Sequence, residues 1–342
     1  MEDQVMSNFN ERKRERFLNE ETYANFVGAS NDGLQHLQSL LQDELAQREP
    51  DGPAYAQWTV GIANRRVELL IGQYSAGDDI ASLVAPYLTA LAAVEASALP
   101  HPIYKSEPFY IDSIDGYEQA LWLLSLCKLL RLDALLPRLF AVFNVVREDN
   151  RGKDALFETL VAQLGGEAIE VKPVGAMFKW LKVHPLLYQA IQAEPQKRSL
   201  YVAEFLKNWY PAMKGCYWYN RNDRVPQNFF GYWAFEAALV TYLWNIDDHG
   251  YRNLPFYPKD LVDYARAHPE VNLAAQTTSR MDAPGTVVHQ GGVVGGQPCP
   301  KAGYWVTPAR IGSRRRFEAG EIMPTFDSDY GSTIWQWDSH QS

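Results

Sequence analysis

A change of chemistry near Ala283 constrains this chain more than any other feature. Before it, apolar side chains recur at helical spacing between Gly, Pro and Asp stops; after it, Leu is scarce and Gly, Pro and aromatics prevail. Tyr55–Tyr74 places Trp58, Ile62, Val67, Leu70, Ile71 and Tyr74 on one helical face. Gly77 is a stop, and Asp78 or Asp79 is positioned to cap a helix over Ile80–Ala98. The three prolines of Leu99–Pro108 forbid helix there. Asp112 or Ser113 then opens Ile114–Leu130. Further helices are expected over Leu135–Val146, Ala155–Leu164, Pro185–Ala193, Gln196–Met213, Phe229–Asn245 and Pro258–His268. Gly165-Gly166 and Pro173 mark an internal connection, giving a helical half over 1–165 and another over 166–283. In the tail, 284–342, Tyr304-Trp305-Val306 and Thr333–Trp337 read as short strands, with Trp305, Trp335 and Trp337 among their aromatics. Thr277–Gln297, with its Gly291–Gly296 run, reads as flexible or tightly turned. The expected fold is mainly α: a multi-helix, helical-hairpin domain with a small C-terminal β-containing appendage.

A faint internal echo joins the halves. Gly116-Tyr117-Glu118, with Ala120-Leu121 and later Asp133, parallels Gly231-Tyr232-Trp233, with Glu236-Ala237-Ala238 and later Asp247. One helical hairpin used twice is the architecture this implies.

Composition removes several classes of function. The 32 basic and 41 acidic side chains leave a formal charge of −9, which argues against direct nucleic-acid binding through a broad basic face. The tail is balanced, so the acidic excess lies in residues 1–283. Cys127, Cys216 and Cys299 are too dispersed for a disulfide framework and fit a reducing compartment. No secretory signal is visible at the N-terminus. Ile80–Leu99 is interrupted by Ser, Pro, Thr and Glu, short of the roughly 18 unbroken apolar residues of a membrane span. A cytoplasmic protein with no membrane association is expected.

Catalytic signatures are missing in the same way. The chain has no HExxH, GxSxG or Walker A sequence, and its seven histidines form no i, i+4 pair, so no metal ligand set or cofactor is expected. Ser125-Leu126-Cys127-Lys128 matches SxxK alone, inside a leucine-rich helix. Asp247-Asp248 lacks the third carboxylate of a diphosphate–magnesium motif, because Tyr251 occupies that position. Arg314-Arg315-Arg316 reads as a solvated turn balanced by Glu318 and Glu321.

Longer motifs point elsewhere. Phe230-Gly231-Tyr232-Trp233-Ala234-Phe235-Glu236-Ala237-Ala238, Ile246-Asp247-Asp248 and Tyr257–Val262 resemble the C-terminal helical domain of PoNi-type immunity proteins, which protect bacteria from polymorphic nuclease toxins. Lys197–Tyr201 to Asn208-Trp209-Tyr210 fits the preceding helix of that domain, and Tyr74–Asp78 the N-terminal half. The tail segments Cys299–Trp305, Arg316–Pro324 and Asp329–Trp337 are similar to the tails of immunity-protein families 71 and 72 and to segments of type VI secretion cargo.

The resemblance implies a non-enzyme that binds and neutralises a cognate toxin, a nuclease delivered by a type VI secretion system. Nucleases carry positive potential, so an acidic helical face would steer encounter and occlude the cleft. Acids at expected helix ends and loops are the candidate contacts: Asp78, Asp79, Asp112, Asp115, Glu118, Asp247 and Asp248. Gly231 is expected to permit a turn or close packing and Glu236 to be a buried carboxylate paired within the fold, with Tyr232 and Trp233 completing that structural motif. A helical metal-dependent enzyme with an acid–aromatic pocket and a secretion-cargo adaptor are the alternative readings.

Overall fold

The computed structural model describes residues 9–47, 52–98, 109–271, 293–307, 313–325 and 333–337. The Leu99–Pro108 loop and most of Thr277–Gln297 lie outside the described residues. The chain divides into two compact units, Met1–Val271 and Asn272–Ser342. The Gly165-Gly166 connection falls inside the first, so the two helical halves share one compact body.

Helix α1 (Glu20–Leu45) begins in a reciprocal cap: Asn19 Oδ1 accepts from the Thr22 amide at 2.8 Å, and Thr22 Oγ1 accepts from the Asn19 amide at 3.1 Å. Only Phe26, Ser30, Leu34 and Glu44 are buried along it, a thin stripe that packs on α2 (Gly52–Ser75). The buried face of α2 runs Ala56, Thr59, Ala63, Val67, Leu70, Ile71 and Tyr74; Trp58 and Ile62, expected on that face, are only half-buried. Small residues let the two helices approach: a Cβ at Gly72 would stand 2.4 Å from the Phe26 ring.

Gly77 ends α2 at φ +89°, and a Cβ there would lie 1.9 Å from the Arg12 carbonyl oxygen, so this stop needs glycine. The expected cap by Asp78 or Asp79 does not form. Asp78 pairs with Arg12, and Asp79 precedes a 3-10 turn, Ile80–Leu83, with no side-chain cap. Helix α3 (Val84–Ala98) follows. Ile80–Ala98, at a mean hydropathy of 1.5, has a length and composition that a membrane-crossing helix shares with a core helix. In this fold Tyr87, Ala90, Leu91 and Val94 are buried in the core, while Glu95 grips Arg138 through two hydrogen bonds of 2.7 and 2.6 Å.

Helix α4 (Ile114–Leu129) is capped by Ser113, whose hydroxyl accepts from the Gly116 amide. It is buried almost all round, from Tyr117 to Cys127 with Gln119 the exception, as a helix enclosed by partners on every side must be. Then come α5 (Leu136–Phe143), the single turn α6 (Arg147–Asn150), α7 (Ala155–Gln163), α8 (Pro185–Gln192), α9 (Pro195–Ala212), the turn α10 (Arg221–Arg224), α11 (Phe235–Leu243) and α12 (Lys259–Ala267). Helix α11 packs directly on α4.

The expected Phe229–Asn245 helix starts six residues late. Gly231 sits at φ +114°, and the Phe229–Ala234 stretch is a non-helical strap. Ser75 Oγ donates to the Phe230 carbonyl at 2.6 Å and accepts from Trp233 Nε1 at 2.8 Å. The Tyr232 amide donates to Glu15 at 2.9 Å. The internal echo therefore does not extend to the backbone: Gly116 lies within the first turn of a helix, and Gly231 lies in this strap.

The second unit holds β1 (Val293–Val294), β2 (Gly303–Val306), β3 (Arg315–Phe317) and β4 (Ile334–Trp337) in an antiparallel sheet of order β1-β4-β2-β3. The register sets Trp305 opposite Arg315 on one side and Trp337 on the other. Cys299, Trp305, Phe317, Met323 and Trp335 form its core. Arg315 pairs with Glu321 and Arg316 with Glu318, the charge balance anticipated, but both arginines lie in strand β3 and not in the expected turn. The mainly helical class with a small β appendage is thus the observed one.

Candidate functional site

Three ionisable side chains from distant parts of the chain meet inside the helical unit. Glu118 lies on α4 one turn before Trp122, His184 immediately precedes α8, and Glu236 is in the first turn of α11. All three are fully buried. His184 Nε2 stands 2.8 Å from Glu118 Oε1 and 4.0 Å from Glu236 Oε1, and one donor atom from each residue falls within 4.8 Å of the other two. The closest approach is not aligned as a hydrogen bond: the four carboxylate oxygens and both ring nitrogens have no hydrogen-bond partner.

The walls of this chamber are well fixed. Tyr117 and Phe205 meet the His184 ring edge-on, with centroids at 5.4 and 5.6 Å. Tyr117 donates its hydroxyl to Asp154 at 2.8 Å, and Asp154 caps α7 by accepting from the Phe157 amide at 2.9 Å. Burial pushes both Glu118 and Glu236 up to about 8; the Glu118 charge adds to the rise at Glu236, and His184 opposes it. Burial also lowers His184 from its ordinary value. Each shift disfavours the charged form, as desolvation does. Among the described residues, these are the His, Cys, Asp or Glu side chains whose donor atoms converge in a way that suits a metal ion.

The acids proposed as partner contacts are dispersed. Asp79, Asp112 and Asp247 are exposed. Asp78 is held by Arg12 at 2.7 Å, and half-buried Asp115 accepts from the Tyr217 amide at 3.0 Å. Glu118 and Asp248 are corrections. Glu118 faces the core because it shares a helical face with Leu121, Trp122 and Ser125, all buried. Asp248 is buried, accepting from Arg252 and the Tyr257 hydroxyl at 3.1 Å and pairing with Arg266 at 3.4 Å. Neither presents a surface.

An open groove of about 430 Å³ runs beside the strap, lined by Arg12, Lys13, Arg14, Arg16, Phe256 and Lys259 among others. Arg14 bonds Asp260 at 3.0 Å and the Tyr74 and Asp78 carbonyls at 3.0 and 2.8 Å; Arg16 stacks over Phe17 and Phe256 at 4.5 and 4.9 Å. Its lining is rich in cations, opposite in sign to the chain as a whole.

The motif residues thus serve packing. Gly231, Tyr232 and Trp233 tie the end of α2 and the N-terminal segment to the second helical half, and Glu236 lies in the chamber between α4 and α11. This is a helical protein whose recognisable sequence holds its two halves together. The two halves match two family descriptions, "PoNe immunity protein (PoNi), N-terminal" over residues 14–140 and "PoNe immunity proteins (PoNi), C-terminal" over residues 152–261, and the chain belongs to this family of immunity proteins. Among solved structures, protein PA2201 from Pseudomonas aeruginosa is similar at 20% identity and a TM-score of 0.47, over 70% of this chain and 89% of that one. No curated protein matches.

His184 was not singled out by the sequence, because it lies in a connection and pairs with nothing nearby in the chain. The one signal was the echo, which flagged the two glutamates that the fold brings to it.

Proposed function

We propose that this immunity protein binds a nuclease toxin of a type VI secretion system in the cytoplasm of the producing cell and blocks its substrate-binding surface. The observation that carries the reading is the family match over both halves, whose description names the toxin class PoNe. The acidic excess of residues 1–283 supports the electrostatic part. A nuclease must hold a polyanion, so its cleft attracts exposed carboxylates such as Asp79, Asp112 and Asp247. Affinity then comes from desolvated apolar contacts, and charge adds rate and specificity. The experiment is co-expression with the toxin encoded next to this chain. Survival of the cells, with a complex on size exclusion, is expected. Continued killing with no complex overturns the reading. Association should slow steeply between low and moderate salt; an on-rate indifferent to salt removes the steering argument.

A further inference from the structure

We infer that Glu118, His184 and Glu236 form a structural site for one divalent transition-metal cation of the zinc–manganese class, which ties α4, α8 and α11 together. The first ground is convergence. Two carboxylates and an imidazole from three separate segments bring one donor atom each to within 4.8 Å of the others. Donors around a tetrahedral zinc lie about 3.4 Å apart when the bonds are about 2.1 Å. The present 2.8 and 4.0 Å separations bracket that value and all three pairs lie within 4.8 Å, so side-chain shifts of about an ångström or less close the site.

The second ground is the state of the donors. All six polar atoms of the trio are fully buried without an aligned hydrogen bond. A single orphaned buried polar atom is unusual; here three residues each bring one such atom to a common point. A proton network is the rival occupant, and it requires donor–acceptor alignment that none of these atoms shows. A divalent cation satisfies the converging atom of each residue without that alignment, and its charge balances two carboxylates beside a neutral imidazole. The mixed oxygen and nitrogen donor set suits zinc or manganese better than a thiolate-seeking or all-oxygen-seeking ion. Complete burial makes the role structural, because neither substrate nor bulk water reaches the ion, and loading has to accompany folding.

The test uses the full chain, unfolded in guanidinium with a chelator and refolded with or without zinc or manganese. Native mass spectrometry is expected to show one cation per chain, with the thermal midpoint higher than that of the metal-free protein by at least about 5 °C. Refolding with cobalt should give a visible ligand-field absorption. Glu118→Gln and Glu236→Gln keep the shape and remove a ligand charge; each should weaken binding by more than about 100-fold. Should a variant fail to fold, the wild-type comparison with and without metal decides alone. A metal-free chain with an unchanged midpoint that takes up none of these cations overturns the inference. So does binding that both Gln variants retain in full. None of these readouts involves a toxin, so they stand apart from the proposed function.

Discussion

Replacing Gly231 by alanine tests how the strap joins the two halves. At φ +114° an L-residue is strained, by about 1–2 kcal/mol. The added Cβ would also stand 2.1 Å from Ser75 Oγ and 2.8 Å from Trp233 Nε1, too close to coexist with either. Those two atoms hydrogen-bond to each other, and Ser75 Oγ also bonds the Phe230 carbonyl, so relief of the clash breaks one or both buried bonds. A buried polar group left unpaired costs roughly 1–3 kcal/mol. The total comes to about 2–5 kcal/mol with one bond lost and about 3–8 kcal/mol with both, a large part of the roughly 5–15 kcal/mol that holds a typical domain together. Urea titration of the purified chain, followed by circular dichroism, measures it. Ser75→Gly in the same background removes both serine atoms from the path of the new methyl group. The double variant should therefore be more stable than additivity allows, by at least about 1 kcal/mol. A Gly231→Ala loss below about 1 kcal/mol, or strict additivity with Ser75→Gly, would refute this account of the strap.

Other perturbations give distinct signatures. Arg151 and Glu158 are a buried pair joined by hydrogen bonds of 3.0 and 2.8 Å, so Arg151→Met should cost about 3–5 kcal/mol and Arg151→Met with Glu158→Leu far less, read by the same titration. Asp154→Ala removes the α7 cap and the partner of the Tyr117 hydroxyl, for an expected loss of about 2–4 kcal/mol; a loss under 1 kcal/mol contradicts the role given to it. Burial pushes the Cys127 thiol up to about 12, and all three cysteines are buried. A thiol reagent should therefore label Cys127 slowly in the native chain even at pH 9, and quickly once the chain is unfolded. Trp335→Ala empties the centre of the tail core and should destabilise that unit by about 3–5 kcal/mol, seen as faster proteolysis of the tail.

Much of the fold was legible because it is written locally. Ser113 and the stop at Gly77 fall where the sequence placed them, and the strands at Gly303–Val306 and Ile334–Trp337 follow their aromatic and β-branched residues. The strap was not legible. Phe229–Ala234 is an apolar aromatic run, and periodicity alone cannot separate such a run from a buried helix. Tertiary contacts hold it in a non-helical form: with Ser75 and Glu15, more than 150 positions away, and from the Ala234 amide to the Phe256 carbonyl. Among the acids, Asp112 and Glu118 differ by half a dozen positions, yet one is exposed and the other in the core. Helical phase separates them: Glu118 is four residues before Trp122 and seven before Ser125, on the buried face, whereas Asp112 precedes the helix. His184 carries no local mark of its role, because convergence in space has no counterpart in spacing along the chain.

The same geometry bears on whether the family's two halves are separable. Helix α4 comes from the first half, yet α11 from the second covers part of it, and Trp122 packs against Trp218 with ring centroids 5.8 Å apart. A helix apolar on nearly every face cannot stay folded in water with one side uncovered. Residues 14–140 produced alone should therefore aggregate or lack a cooperative unfolding transition. Co-expression with residues 141–271 should restore a soluble complex, because the missing cover is supplied in trans. Size exclusion and a thermal melt distinguish the outcomes. A monomeric 14–140 fragment with a sharp transition would show that the strap and the buried trio only decorate two independent domains, and that the shared core inferred here is not what stabilises this immunity protein.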